Sequence, residues 1–533
     1  MKHLFISVAA VALLVACGGD KDAETTDGTV KITEATKVAA KHPTLSSLSS
    51  FTAREGDASK TGDVLAALNL DTSGSGMAAF GSSDVDGDGA TFSDVVIGDP
   101  ESSDAVKIGK VELDGLDMTA NGAVFSKLSF SDVEVADGDE VAKLDSFTIV
   151  NPSPELAAFL TTAFSGEDPG EMPSIDKLSF DAVSFGDFTF SGGDDDDGGV
   201  FKIGNVDLQG MGNGVLEAAV LSGLTFNGMD NGDKLEGGVK EIALYGADYA
   251  FLEDIQALGD NPNEDEVMAL VMSSMSDATN PPYDGMVAKD INFDGSGINF
   301  DLPLLDVIVQ RDDQDRMTAA VMKPFTMKLS ADADGGQGGA ELAEGLSMLG
   351  YKDITLKAEG VTNYDPDADL VTYPSGSNYI ELVDGAKISY SGKLGGFAEY
   401  SRLAANMQTE FGPDPDVLTK ALGQLTLHNF SLEIDDASLV DRMFTLAASQ
   451  SGEDPQQLRN QTVMMMGLAP MMAAQSGVDT ELLTAAIGPV TEFIKEPGTL
   501  TFTLNPSSPL NIGEIEDPAL LNIETLGFSA SHK

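Results

Sequence analysis

Two stretches decide the fold: Val106-Lys-Ile-Gly-Lys-Val-Glu-Leu-Asp-Gly-Leu116 and Phe201-Lys-Ile-Gly-Asn-Val-Asp-Leu-Gln-Gly-Met211. They agree nearly position for position, and their glycines Gly115 and Gly210 stand 95 residues apart. Apolar residues alternate with polar ones: Val111 and Leu113 in the first copy, Val206 and Leu208 in the second. A period of two puts those side chains on one face of a strand. The glycine that follows permits a turn or a bulge. A second strand comes next, Phe125-Ser-Lys-Leu-Ser-Phe130 in one copy and Leu221-Ser-Gly-Leu-Thr-Phe226 in the other. A weaker third copy, Asp290-Ile-Asn-Phe-Asp-Gly295, offers Ile291 and Phe293 at the corresponding places. Looser echoes occur at 353–360 and 423–430. Strands of this kind cannot bury their apolar faces singly, so the pattern predicts a long curved antiparallel sheet built from tandem repeats.

Helical periodicity interrupts the strands. Residues 152–164 carry proline near the start and apolar residues at helical spacing. Residues 263–275 open on an acidic turn, with Met268, Met272 and Met275 on one face. Residues 436–495 read as three helices, followed by strands at 498–504 and near 523–528. The expected class is α+β and β-dominated, with packed helices and a helical C-terminal region. The divisions expected are 1–16, a leader; 17–41, an acidic tether; 42–165 and 166–280, two β-rich repeats; 281–435, a third repeat with following strands; and 436–533, helices with terminal strands.

Hydrophobic residues make up 42% of the 533, enough for real cores and too many for a disordered chain. There is no tryptophan, and 57 glycines suit many short strands joined by tight turns. Acidic residues number 87 against 30 basic ones, a formal charge of −57. Such a surface repels nucleic acid and attracts divalent cations and basic partners; it also keeps a protein dissolved in salt. Cys17 is the single cysteine, so no disulfide can form within the chain.

The beginning of the chain is an address. Met1-Lys-His is followed by an apolar run, Leu4 to Val15, too short to span a bilayer, and then by small residues. Leu14-Val15-Ala16-Cys17 resembles a bacterial lipobox. The resemblance implies cleavage before Cys17 and acylation of its sulfur and new amino group, an anchor that needs no spanning helix. Gly18 and Gly19 follow, without the aspartate that retains enteric lipoproteins at the inner membrane; by that resemblance the outer membrane, facing the periplasm, is the expected location. The strand–glycine–strand units over 85–435, such as Ile108 to Leu116, resemble repeats of AsmA-like envelope proteins. That resemblance implies a taco-shaped sheet with an apolar groove and a role in lipid handling or envelope integrity. The chain departs from those proteins in its anchor, a lipobox in place of an N-terminal spanning helix. Tyr364 to Leu370 and the strands after it look like envelope proteins without assigned chemistry.

Asp84-Val-Asp86-Gly-Asp88-Gly89 matches the start of an EF-hand loop, with carboxylates at alternate positions. The twelfth position is Val95 rather than glutamate, with Asp94 one residue away. Calcium on Asp84, Asp86 and Asp88 is one reading and a plain acidic hairpin turn the other. Asp194 to Asp197 form a similar acidic run before the second repeat. Val463 to Met472 is rich in methionine. Without histidine or cysteine nearby it reads as an adaptable apolar helix face, packed in a core or gripping a partner, rather than a copper site. Catalysis finds little support: past the leader the histidines are His42, His428 and His532, and no nucleophile motif surrounds them.

The expected function is non-catalytic binding or scaffolding at the cell envelope, with lipid held on an apolar sheet face at Val111, Leu113, Val206, Leu208, Ile291 and Phe293. The expected partners are the membrane, through the lipid on Cys17, and a lipid or an envelope protein. Two other readings stand beside it: a calcium-stabilised adhesive protein, and an enzyme using carboxylates.

Overall fold

The computed structural model describes residues 42–74, 78–98, 105–120, 122–137, 140–165, 173–192, 198–230, 233–249, 279–404, 420–475, 480–513 and 522–533. Cys17, the expected helix at 263–275 and the run Asp194 to Asp197 lie outside the described residues. The chain divides at Gly295/Ser296 into two units, with 279–281 belonging to the second. The two clear sequence repeats therefore share one unit.

The first unit is an antiparallel meander. Its strands are β1 (Ala78–Ala79), β2 (Ser82–Asp86), β3 (Gly89–Ile97) and β4 (Val106–Asp114). A separate small hairpin, β5 (Asp117–Thr119) and β6 (Gly122–Val124), interrupts the sheet. The sheet resumes with β7 (Lys127–Asp137), β8 (Glu140–Val150), β9 (Phe180–Gly192) and β10 (Gly199–Gly212). The last strands of the unit are β11 (Val215–Asp230), β12 (Asp233–Asp248) and β13 (Gly285–Gly295). From β3 to β13 each strand of the sheet pairs with the one before it, β5 and β6 excepted. Helices α1 (Thr61–Ala67) and α2 (Pro154–Ser165) accompany this sheet.

Register explains the repeat. One row of side chains crosses nine strands: Phe92, Val111, Phe130, Phe147, Phe185, Val206, Leu221, Ile242 and Ala288. A second row holds Ala90, Leu113, Leu128, Ile149, Val183, Leu208, Ala219, Leu244 and Met286. A third, on the other side of the first, runs through Val95, Ile108, Val133, Leu144, Phe188 and Ile203, then Leu224, Val239 and Ile291. Every member is apolar, so the sheet has one consistently apolar face. Val111 and Val206 share a row, as do Leu113 and Leu208. Ile291 and Phe293 lie on the same face but not at the corresponding places, because β13 runs opposite to β4 and β10. The residues of β13 level with Val111 and Leu113 are Ala288 and Met286.

Between the first and third rows every strand steps by three residues instead of two. The residues at that step are opposite one another across the sheet, and on alternate strands they have positive φ: Asp94 (54°), Asp132 (56°), Asp187 (45°), Gly223 (67°) and Asp290 (48°). Aspartate and glycine tolerate this left-handed conformation better than other residues do. One such residue resets the alternation and returns the apolar side chains to the same face. The four aspartates are themselves exposed.

The core of this unit joins Phe92, Val111, Leu113, Leu116, Leu128 and Phe130 to Val64 and Leu65 of α1, Ala157 of α2 and Ala123 and Val124 of β6. At these strands the apolar face is thus covered by helices and a hairpin. Burial of each valine, leucine and phenylalanine among them contributes about 1.5–3 kcal/mol. The segment before α1 is pinned to the sheet: buried Asn151 accepts from the Arg54 amide (2.9 Å) and donates to the Thr52 carbonyl (2.9 Å).

The second unit is also an antiparallel meander. It starts with β14 (Ile298–Arg311), β15 (Met317–Ala331) and β16 (Asp353–Asp365). It continues through β17 (Leu370–Tyr373) and β18 (Tyr379–Leu382) to β19 (Ala386–Gly395) and β20 (Thr426–Asp436). It closes with β21 (Thr499–Leu504), β22 (Leu510–Asn511) and β23 (Ser529–His532). Two short strands, β17 and β18, lie in line between β16 and β19. Helices α3 (Gln337–Met348) and α4 (Phe397–Ala404) fill connections, and three more, α5 (Leu439–Ser451), α6 (Pro455–Gln475) and α7 (Thr480–Lys495), form the expected helical region. The strand expected near 523–528 is instead a single helical turn, α8 (Ile523–Leu526), and the strand follows it as β23. Asn522 accepts a hydrogen bond from the Thr525 amide (2.8 Å) and Gly527 leaves the turn at φ 55°, a capped helix written in two residues.

Candidate functional site

The apolar face of the first unit changes character along the sheet. Farther along, one of its clusters consists of strand residues alone: Ile203, Val206, Leu221 and Leu224 are buried, with Phe185, Phe188, Phe201, Leu208, Phe226 and Val239 packed against them and half-buried. Phe185, Phe188 and Leu208 also pack on the helix-covered core, and Ile175 of a short 3-10 helix (Ile175–Lys177) shares the neighbouring cluster with Ala219 and Leu244. No described helix contributes to the strand-only cluster. A fourth row borders it: Val135, Ala142, Phe190, Phe201, Phe226, Gly237 and Phe293. Phe190 is 38% exposed. Phe201, Phe226 and Phe293 keep part of their rings open.

Local sequence places these rings. Phe185-Gly-Asp-Phe188-Thr-Phe190 contains the step of three at Asp187, so all three phenylalanines reach one face. Phe188 and Phe201 meet edge to face at 6.5 Å between centroids, and Phe226 and Phe293 tilt together at 6.3 Å. Gly237 stands between Phe226 and Phe293 on β12. A Cβ there would lie 2.6 Å from the tip of the Phe226 ring and 2.6 Å from the Asn292 carbonyl oxygen. Glycine therefore leaves the space over which the two rings lean. The result is an aromatic shelf with a backbone floor, suited to apolar chains.

Of the six residues expected on this face, Val111, Leu113 and Val206 are buried in core clusters, and the first two are covered. Leu208 lies between clusters and is half-buried. Ile291 and Phe293 are half-buried, and Phe293 belongs to the shelf. The shelf residues Phe188, Phe190, Phe201 and Phe226 were not among the residues picked out from the sequence. Their signal is the spacing of phenylalanines around Gly186-Asp187, legible once a three-residue step is allowed.

The acidic run at 84–88 is a hairpin. Asp84 and Asp86 are exposed on β2, and Gly87-Asp88 is a two-residue loop to β3 with Gly87 at φ 60°, the position a type II′ turn reserves for glycine. Asp88 Oδ2 accepts from the Gly56 amide at 2.6 Å, and Thr61 Oγ1 donates to the Gly87 carbonyl at 3.0 Å. The third carboxylate thus fastens the segment before α1 instead of converging with the other two. Among the described residues no three histidine, cysteine or carboxylate side chains are grouped to hold a metal ion.

The acidic segment at 364–370 is a turn as well. Asp365 accepts from the Asp367 and Ala368 amides, and Asp367 pairs with Arg316 at 2.7 Å. Asp369, at φ 46°, accepts from Tyr364 (3.0 Å) and from the Ala398 amide at the start of α4 (2.9 Å). The histidines are dispersed: His42 stacks on Tyr245 at 4.6 Å, His428 lies on β20 and His532 meets Phe493 edge-on at 6.1 Å. The methionine run lies on α6, where Met464, Met465 and Met471 are exposed rather than packed.

Residues 379–533 match a protein-family model described as "Uncharacterized protein". The match covers the end of the second unit, from β18 to β23, and leaves the first unit outside it. No curated protein and no solved structure matches the chain significantly. No described helix is long and apolar enough to cross a membrane.

Proposed function

We propose that this protein is a non-catalytic envelope lipoprotein that holds an acyl chain on the aromatic shelf of its first unit. The observation that carries the reading is the strand-only cluster from β9 to β12 with Phe293 of β13 beside it: phenylalanines to which no described helix contributes a partner in that cluster, with Phe190 more than a third exposed. A contiguous apolar surface of this kind is a binding face or a liability in water. Three sequence features support the same reading: the lipobox resemblance at Leu14 to Cys17, the AsmA-like pattern of the repeats, and the scarcity of nucleophile–base pairs. Under this proposal Cys17 carries the anchor, the outer membrane is the location and the periplasm is where the shelf works. The charge of −57 selects the ligand's apolar part, since an anionic head group is repelled.

The test is titration of the full chain carrying Cys17→Ser with a fluorescent fatty acid. Saturable binding is expected. Phe201→Ser and Phe226→Ser should each weaken it about tenfold, equivalent to about 1.4 kcal/mol. Binding that is absent, or indifferent to both substitutions in variants with an unchanged melting temperature, would refute the reading.

A further inference from the structure

Helix α6 of the second unit has a face without a partner in the described structure. Met464, Met465, Leu468 and Met471 are 64%, 62%, 48% and 63% exposed. Positions 464, 468 and 471 follow the i, i+4, i+7 spacing of one helical stripe, and 465 lies beside it. Other parts of the helix pack on α5 and α7. Four such side chains present about 400 Å² of apolar surface, as large as the biggest patches of ordinary monomers. That is about half the area one partner contributes to a standard protein–protein interface, and it suits a single helix better than a domain.

Charge selects the occupant. From Asn460 to Gln475 the helix has no ionisable side chain, in a chain of net −57. Arg459, just before, is taken by Asp441 and lies over the Phe444 ring. Glu453 and Asp454 are exposed where α6 begins, about 15 Å along the axis from the methionines. A second copy of this chain or an anionic lipid surface would bring like charge to the same place. Helices that lie in a membrane surface carry lysine or arginine on the polar face and aromatic anchors on the other, and α6 has no lysine and no aromatic residue. Methionine, unbranched and polarisable, adapts to partners of varied shape.

We propose that this face docks a basic amphipathic helix of a partner protein. The methionines and Leu468 receive its apolar side, and Glu453 and Asp454 attract its cationic flank. The proposal does not depend on the aromatic shelf. The test uses the full chain carrying Cys17→Ser and a labelled model peptide of leucine and lysine at helical spacing, beside a peptide of the same composition in scrambled order. Fluorescence anisotropy should show micromolar binding of the periodic peptide alone. The pair Met465→Gln and Met471→Gln, both exposed and tolerant of change, should weaken it at least tenfold, and 0.5 M sodium chloride should weaken it as well. Phe201→Ser should leave it unchanged, which separates this site from the shelf. Equal binding of the scrambled peptide, or an affinity untouched by the double substitution, would overturn the proposal. So would vesicle binding, or dimerisation, that the double substitution abolishes.

Discussion

At the scale of single residues, two tyrosines report on the core of the first unit. Burial pushes the Tyr249 hydroxyl up to about 12 and raises that of Tyr283 in the same direction. Tyr249 belongs to the cluster of Leu216 and Leu244, and Tyr283 packs against that cluster. A group whose folded-state pKa is raised contributes stability that is complete below its unfolded value, near 10, and is lost as pH climbs through the folded one. The first unit should therefore hold its stability to about pH 10 and lose it between 10 and 12. Absorbance of tyrosinate near 295 nm, followed with circular dichroism, checks this. Ionisation of all tyrosines near pH 10 with no loss of structure would contradict it. Asp88 makes the complementary point about legibility. Its place in a carboxylate series was plain from the sequence, but its partner, the Gly56 amide, lies 32 residues away and had no local signal.

At the scale of the element, the strands of the first unit keep a uniform apolar face through the three-residue step, which on alternate strands carries a left-handed residue. Asp132 is exposed, yet its Cβ sits 2.9 Å from where a Cβ on Gly109 would be. Asp132→Gly should be nearly neutral in urea unfolding, since glycine adopts the conformation freely and loses only chain entropy. Asp132→Val should cost about 1–2 kcal/mol, because a β-branched side chain is strained there. Equal effects of the two would show that the step does not depend on backbone conformation. This device also explains how far the sequence could be read. Alternation of Val111 with Leu113 and of Val206 with Leu208 revealed strands and a shared face directly. The pairs Phe92/Val95, Phe130/Val133 and Phe185/Phe188 break that alternation, so the shorter unit, one strand with one step, was hidden beneath the 95-residue repeat. The helices α2, α5, α6 and α7 were legible from their periodicity. The single turn α8 was not, because Ile523 to Leu526 is too short for a period to show.

At the scale of the whole molecule, charge sets the response to solution conditions. Self-repulsion among 87 acidic residues against 30 basic ones opposes compaction, and salt screens it. The melting temperature should rise with sodium chloride. Calcium and magnesium at constant ionic strength should act alike, since Asp88 is engaged by Gly56 and no described group of three ligands converges. Selective stabilisation by calcium that Asp86→Ala removes would establish a site at the 84–88 hairpin. The same field bears on the shelf. Under the proposed function, repulsion of anionic head groups leaves the apolar chain as the part of a lipid that is held, along the row of Phe190, Phe201, Phe226 and Phe293.

That place can be mapped directly. A photoactivatable fatty acid should be bound to the full chain carrying Cys17→Ser, irradiated, and its adducts located by peptide mass spectrometry. Adducts concentrated on β9, β10, β11 and β13, and lost on competition with unlabelled fatty acid, are the predicted result. Adducts confined to α6, or spread over the chain without competition, would contradict the shelf as the lipid-holding site.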